Sequence, residues 1–103
     1  MKKWRALLEA RGTRHDLPMK PQVVTHTLNK LLAADAIVSA DSGTNTTWAA
    51  RYLDMRGDMQ FSVSGSLASM ACGLPYSLSA AVAYPGRQVV CVVGDGGFTM
   101  LMG

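Results

Sequence analysis

The chain contains few of the residues on which several functional classes depend. It has two cysteines, two histidines and a single glutamate, Glu9, among 103 residues. Cys72 and Cys91 have no second pair and no histidine at metal-ligand spacing, which argues against a disulfide framework and a zinc site. Reduced, buried thiols are therefore predicted. His15 and His26 match no catalytic motif, and no residue is identified as catalytic.

Long apolar runs and clusters of positive charge are also scarce. No run has the length that a transmembrane helix needs, and the start of the chain lacks the apolar core of a signal peptide. The net charge of +3 arises mainly at the front of the chain. Basic residues after Lys30 are well separated, which argues against nucleic-acid binding. We expect a cytoplasmic protein with no nucleic-acid partner and no transmembrane segment.

The hydrophobic content of 49% is sufficient for one folded domain. Residues 1–20 are interpreted as a basic leader or linker with a short amphipathic helix that ends by Gly12. The folded domain is predicted for residues 21–103. A chain of this size buries a modest share of its surface, so association with other chains is expected.

The order of the predicted elements indicates the fold class. The unalternating apolar run "QVVCVV" is typical of a strand buried on both faces, and each strand is followed by a turn and a helix. This order predicts an α/β fold in three layers, a parallel sheet with helices on both faces. The predicted helices are 21–34, one in which Trp48, Tyr52 and Leu53 share a face, 67–84 (started or kinked by Pro75) and one from about Phe98. The predicted strands are 36–40, 61–65 and 88–93.

Two strand ends carry aspartate and glycine, in "ADSGTN" and "VGDGG", and ligands of open parallel sheets collect at such ends. Residues Gly94–Gly97 are called the glycine turn below. Gly94, Gly96 and Gly97 let backbone N–H groups approach a phosphate, and the following helix adds its positive end. Asp95 would repel a phosphate unless a cation lay between them, which predicts an Mg²⁺ ligand. An ordinary Asp-Gly turn is the alternative.

The glycine turn matches neither standard phosphate motif. No Gly-Lys-Ser/Thr follows it, and Thr99 stands where a dinucleotide fingerprint has its third glycine. A generic nucleotide-binding domain is therefore disfavoured.

The sequence resembles the C-terminal cofactor-binding domain of thiamine diphosphate enzymes of the pyruvate oxidase and acetolactate synthase group. The resemblance covers residues 21–103. The stretches that carry it are "KPQ", "DSGTNTTWAARYL", "SGSLASMACGLPYSLSAAVAYPGRQVV" and "GDGGFTMLMG". The wording "GT…WAARYL.M.G" with "GDGGF.MLMG" is most similar to the pyruvate:quinone oxidoreductase branch.

The resemblance implies a role for each of the site residues. Asp95 would bind the Mg²⁺ of the diphosphate, with Gly94, Gly96 and Gly97 lining it, while Gly43, Thr44 and Asn45 would approach it from the other strand end. Met70 would support the bent cofactor. The alternatives are that Met70 fills a gap in the core, that Asn45 caps a helix and that Asp41 terminates a strand.

The resemblance also implies that other parts of a complete enzyme supply the remaining groups. The family places a further asparagine ligand of Mg²⁺, a glutamate for the aminopyrimidine and, in the oxidases, a flavin domain binding FAD outside the matched residues. We therefore expect an incomplete cofactor domain of a 2-keto acid decarboxylating enzyme that is a homo-oligomer when complete. The isolated chain is expected to bind the cofactor weakly or not at all, without turnover. A non-catalytic α/β remnant or interaction module remains the alternative.

Overall fold

The computed structural model describes residues 1–103, and five helices and three strands alternate along most of the chain. None of the helices combines the length and the apolar character needed to cross a lipid bilayer. In chain order the elements are α1 (Lys2–Gly12), α2 (Pro21–Leu31), β1 (Ile37–Ala40), α3 (Thr44–Tyr52), β2 (Gln60–Ser62), α4 (Gly73–Ala83), β3 (Val89–Val92) and α5 (Asp95–Met100).

The three strands form one parallel sheet in the order β2-β1-β3. Ile37 of the central strand β1 lies opposite Gln60 of β2 and Val89 of β3. All four residues of β1 are buried. Because the strands are parallel, their carboxyl ends lie at one edge of the sheet, and the turns that follow them are brought together there.

Helices cover both faces of the sheet. On one face, Val38 of β1 packs with Leu32 and Ala36 in a buried apolar cluster next to α2. On the other face, the hydroxyl of Ser39 donates a hydrogen bond of 2.7 Å to the carbonyl of Gly73, where α4 begins. The three-layer α/β fold predicted from the order of elements is confirmed.

Two predicted helix boundaries are wrong, and both errors fall at the edge of the sheet where a ligand would bind. The helix predicted for 67–84 starts at Gly73, because Ala68 and Ala71 adopt positive φ angles of 50° and 68° that no α-helix contains. Pro75 therefore lies in the first turn, where proline is tolerated. The last helix starts at Asp95, not near Phe98.

Smaller differences concern the other elements. Helix α2 ends at Leu31, three residues earlier than predicted, and β2 covers only Gln60–Ser62. Helix α1 has eleven residues and packs against α2 and α3. Both cysteines are free, as predicted, but they are partly exposed, so the prediction that their thiols are buried is wrong.

Candidate functional site

The candidate site lies at the carboxyl edge of the sheet, where three connections meet. Residues 41–43 follow β1, residues 63–72 follow β2 and are called the Met70 loop below, and the glycine turn follows β3. The side chain of Asp41 contacts both of the other two connections.

Asp41 is an almost inaccessible carboxylate, with 1% of its surface exposed. The N–H of Ala71 donates to Oδ2 at 3.0 Å and the N–H of Gly73 donates to Oδ1 at 3.1 Å. The thiol of Cys72 donates a weaker bond of 3.5 Å to Oδ1. Both carboxylate oxygens of Asp41 are therefore engaged by the Met70 loop and the start of α4.

The hydrogen bonds to Asp41 outweigh the effect of its burial. Burial alone would raise the pKa of the carboxyl, because the charged form loses its hydration. Hydrogen bonds favour the charged form, and together they hold the pKa of Asp41 below its usual value. In decreasing order of effect they come from the backbones of Ala71 and Gly73, the side chain of Cys72 and the backbone of Ser42.

The glycine turn packs directly against this carboxylate. Gly97 is buried, and a Cβ at this position would overlap Oδ2 of Asp41. The N–H of Asp41 also donates to the carbonyl of Val92 at 2.9 Å, two residues before the glycine turn. A residue with a side chain at position 97 would therefore displace either the turn or the carboxylate.

Asn45 joins the end of β1 to the end of β3. Its Nδ2 donates to the carbonyl of Asp41 at 2.7 Å and to the carbonyl of Val92 at 2.8 Å. The hydroxyl of Thr46 donates to the same Asp41 carbonyl. Both hydrogens of the Asn45 amide are thus committed to the fold, so its predicted approach to a diphosphate would have to use the backbone N–H.

Gly43 and Thr44 lie at the exposed start of α3. Gly43 has a φ of 146°, a conformation that side chains rarely allow, which explains glycine at this position. A cavity of about 280 Å³ adjoins this turn. Its lining residues are Ser42, Gly43, Thr46, Thr47, Val63, Ser64, Gly65 and Ala68.

Met70 lies between the two positive-φ alanines and is half exposed, with 49% of its surface accessible. A Cβ at Gly96 would lie 3.9 Å from Met70 Cε, so the methyl group borders the glycine turn. The side chain is therefore not a filler of the protein core. It stands at the surface of the site, where a ligand could pack against it.

The glycine turn and Asp95 have the chemistry that a magnesium diphosphate requires. The N–H groups in the first turn of α5 have no partner within the helix, and a Cβ at Gly94 would meet no atom within 4 Å. The side of the turn next to Gly94 is therefore open. Asp95 and Gly96 are exposed. Mg²⁺ takes one or two carboxylates together with phosphate oxygens, and Asp95 supplies one.

Asp95 does not belong to a cluster of metal-ligating side chains. The chain contains no group of three or more His, Cys, Asp or Glu side chains that could hold a metal ion by themselves. The oxygens of Asp41 accept backbone hydrogen bonds and are not available. The residues present thus fit Mg²⁺ only when phosphate oxygens complete its coordination.

The structure brings most of the predicted site residues to one edge of the sheet. Met70 adjoins Gly96, and Gly97 adjoins Asp41, which leads into the turn containing Gly43. Sequence reasoning placed Asp41 at a strand end where ligands collect but gave it no role beyond the possible termination of the strand. The available signal was an acidic residue placed directly after a buried apolar strand, at the edge where ligands bind.

Comparison with known proteins identifies the family. Residues 41–103 match the family model described as thiamine pyrophosphate enzyme, C-terminal TPP binding domain. The chain is 43% identical over 102 residues to the thiamine pyrophosphate-containing protein YdaP of Bacillus subtilis. The matched region covers 99% of this chain and 18% of YdaP.

Two further relatives are named as enzymes. The chain is 37% identical over 100 residues to acetolactate synthase isozyme 3 large subunit of Escherichia coli, covering 97% of this chain and 17% of that protein. It is 34% identical over 102 residues to pyruvate oxidase of Lactiplantibacillus plantarum, covering 99% and 17%. The chain spans less than a fifth of the length of these relatives.

Proposed function

Because the chain belongs to the thiamine pyrophosphate enzymes, within their C-terminal TPP binding domain, we propose that it holds the diphosphate of this cofactor through Mg²⁺ in a 2-keto acid decarboxylating enzyme. The observation that carries this proposal is the open glycine turn, with the exposed carboxylate of Asp95 beside unpaired helix N–H groups. A carboxylate at such a position repels phosphate unless a cation lies between them.

Each residue of the proposed site has one proposed role. Gly94, Gly96 and Gly97 present backbone N–H groups to the diphosphate, and Asp95 binds Mg²⁺. Met70 packs against the organic part of the cofactor, since its methyl group already borders Gly96. When bound, thiamine diphosphate supplies the carbanion-stabilising chemistry that 2-keto acid decarboxylation needs.

The turn after β1 is proposed to contribute backbone N–H groups to the site, not side-chain donors. Gly43 and Thr44 are exposed at the start of α3 and present backbone N–H groups, whereas the Asn45 amide nitrogen holds the ends of β1 and β3 together. The domain is proposed to extend over residues 21–103, with 1–20 as a leader or linker. Helix α1 and its packing against α2 and α3 indicate that this leader is structured.

Other groups of the complete reaction are proposed to come from outside these residues. The names of the relatives include both pyruvate oxidase and acetolactate synthase, so the 2-keto acid class is proposed, not one substrate. The complete enzyme is proposed to be a homo-oligomer in the cytoplasm, with FAD as a further cofactor if it is an oxidase.

The test is a titration of the ¹⁵N-labelled chain with millimolar thiamine diphosphate, with and without Mg²⁺, followed by amide chemical shifts. Weak binding is expected, and it should shift the amides of Gly94, Gly96 and Gly97 only when Mg²⁺ is present. The variant Asp95→Asn should abolish these shifts at millimolar cofactor, because it removes the negative charge that attracts Mg²⁺ without changing the size of the side chain.

The matched control is Asp58→Asn. Asp58 is an exposed aspartate just before β2, at the opposite edge of the sheet, and its removal changes the net charge by the same amount. This variant should bind like the wild type. A folded wild-type chain whose glycine-turn amides do not respond would favour the non-catalytic α/β module. Decarboxylation of pyruvate by the isolated chain would contradict our expectation that further groups are needed.

A further inference from the structure

The buried carboxylate of Asp41 contacts two segments of the site that are far apart in the sequence. None of the ion pairs in the structure includes Asp41. A buried carboxylate without a cation is costly unless its hydrogen bonds are satisfied. Here the partners are the backbone N–H groups of Ala71 and Gly73. The carboxylate of Asp41 therefore stabilises the backbone conformation at the end of the Met70 loop.

The Met70 loop needs such support because of its backbone. Ala68 and Ala71 have positive φ angles, which are unfavourable for residues with a Cβ and persist only when the surroundings impose them. Ala71 is the residue whose N–H donates to Asp41 Oδ2. Met70 precedes Ala71 directly, so this hydrogen bond fixes the backbone at the residue next to Met70.

The same carboxylate limits how closely the glycine turn can approach. Gly97 lies so near Oδ2 that no side chain fits between them. Gly73 packs less tightly and against the backbone of Asp41, because a Cβ there would lie 3.0 Å from the Asp41 backbone nitrogen. Asp41 is thus packed between two glycines, one in the turn after β3 and one at the start of α4.

We propose that Asp41 is a positioning residue of the cofactor site, which fixes the Met70 loop relative to the glycine turn. The consequence for cofactor binding rests on the proposed function, whereas the positioning itself rests on the contacts alone. Asp41 contacts no ligand in this proposal; it acts through Met70 and Gly97.

The main test is Asp41→Asn, which keeps the shape but replaces one acceptor oxygen by an NH₂ group. That group would face the N–H of Ala71 or Gly73, and two donors cannot satisfy each other. The control is Val38→Ala, which creates a cavity in the buried core away from the site and tests for general destabilisation.

The readout is the nuclear Overhauser effect between the Met70 ε-methyl group and the Hα protons of Gly96, measured without any ligand. It should be present in the wild type and in Val38→Ala, and absent in Asp41→Asn. In the titration with thiamine diphosphate and Mg²⁺, Asp41→Asn should weaken binding at least tenfold, and Val38→Ala less than twofold. An unchanged Overhauser effect and unchanged affinity in Asp41→Asn would overturn the proposal.

A second measurement needs no variant, in case Asp41→Asn does not fold. Hydrogen exchange of the wild-type amides of Ala71 and Gly73 should be at least tenfold slower than that of Ser66, in the same connection between β2 and α4. Equal exchange rates would refute the positioning role. If the wild type shows the Overhauser effect and the slow exchange but no response to cofactor, the positioning inference stands and the proposed function fails.

Discussion

The glycines of the glycine turn differ in what surrounds them, although the sequence presents them as equivalent. Gly97 is packed against a buried carboxylate, whereas Gly94 faces open space with a φ of −82°, which any residue can adopt. Glycine at position 97 is therefore required by the fold. At position 94 the fold does not require it, and the proposed approach of a diphosphate provides a reason for it.

We expect Gly97→Ala to lower the free energy of unfolding by about 2–4 kcal/mol, because the new methyl group must displace the Asp41 carboxylate from its hydrogen bonds. Gly94→Ala should change it by less than about 1 kcal/mol, since its backbone conformation is compatible with alanine. Urea unfolding followed by circular dichroism measures both. Equal stabilities of the two variants would contradict the packing at Gly97.

At the scale of elements, one polar cluster joins the end of α2 to the segment after α3. The guanidinium of Arg56 donates to the carbonyls of Leu32 at 2.6 Å and Asn29 at 2.9 Å, near the carboxyl end of α2. Asn29 in turn accepts a hydrogen bond of 2.9 Å from the N–H of Asp54. Terminal helix carbonyls lack partners within the helix, so Arg56 stabilises this end and attaches it to its neighbour.

Removal of this cap should have a moderate effect. Arg56→Ala is expected to lower the free energy of unfolding by about 1 kcal/mol, because water replaces part of the exposed hydrogen bonding. The matched change Arg5→Ala, at an exposed arginine of α1, should cost less than about 0.5 kcal/mol. Thermal unfolding of the pair provides the comparison, and an equal loss at Arg5 would show that charge, not capping, matters.

At the scale of the whole molecule, the sheet has an open side. In the order β2-β1-β3, strand β3 pairs only with β1. The N–H of Ile37 bonds to the carbonyl of Gln88, so the alternation of a parallel ladder turns the N–H of Val89 away from β1. Unpaired edge strands of this apolar kind recruit other chains.

We therefore expect the isolated chain to self-associate with increasing concentration, in sedimentation velocity experiments. Val89→Pro removes an outward-facing donor without removing a hydrogen bond to β1, and it should shift the chain towards the monomer. The comparison is Val82→Lys, on α4, where Val82 is 84% exposed. Dissociation by Val82→Lys and not by Val89→Pro would place the contact on the helix and refute the edge.

Local patterns were sufficient for the fold class and for the family, and they singled out the glycine turn as a candidate site. The uniform apolar run of β3, the order of strand, turn and helix, and the pairing of Asp95 with glycines all depend on neighbours in the chain. The start of α4 was misjudged because small residues such as Ala68 and Ala71 suit a helix by propensity. Their positive φ angles arise within a loop held by Asp41, which lies 30 residues from Ala71 in the sequence.

The sequence by itself determined the family, the parallel α/β fold and Asp95 as the candidate metal ligand, because these follow from motifs and periodicity within short stretches. Only the tertiary structure decided the roles of Asp41, Asn45 and Gly97. Their partners are mostly backbone groups on other strands and loops. Almost every residue carries a backbone N–H and a carbonyl, so the sequence does not reveal which of these groups become partners. The buried carboxylate of Asp41 and the amide of Asn45, which joins the ends of β1 and β3, therefore acquire their roles only where the strand ends meet.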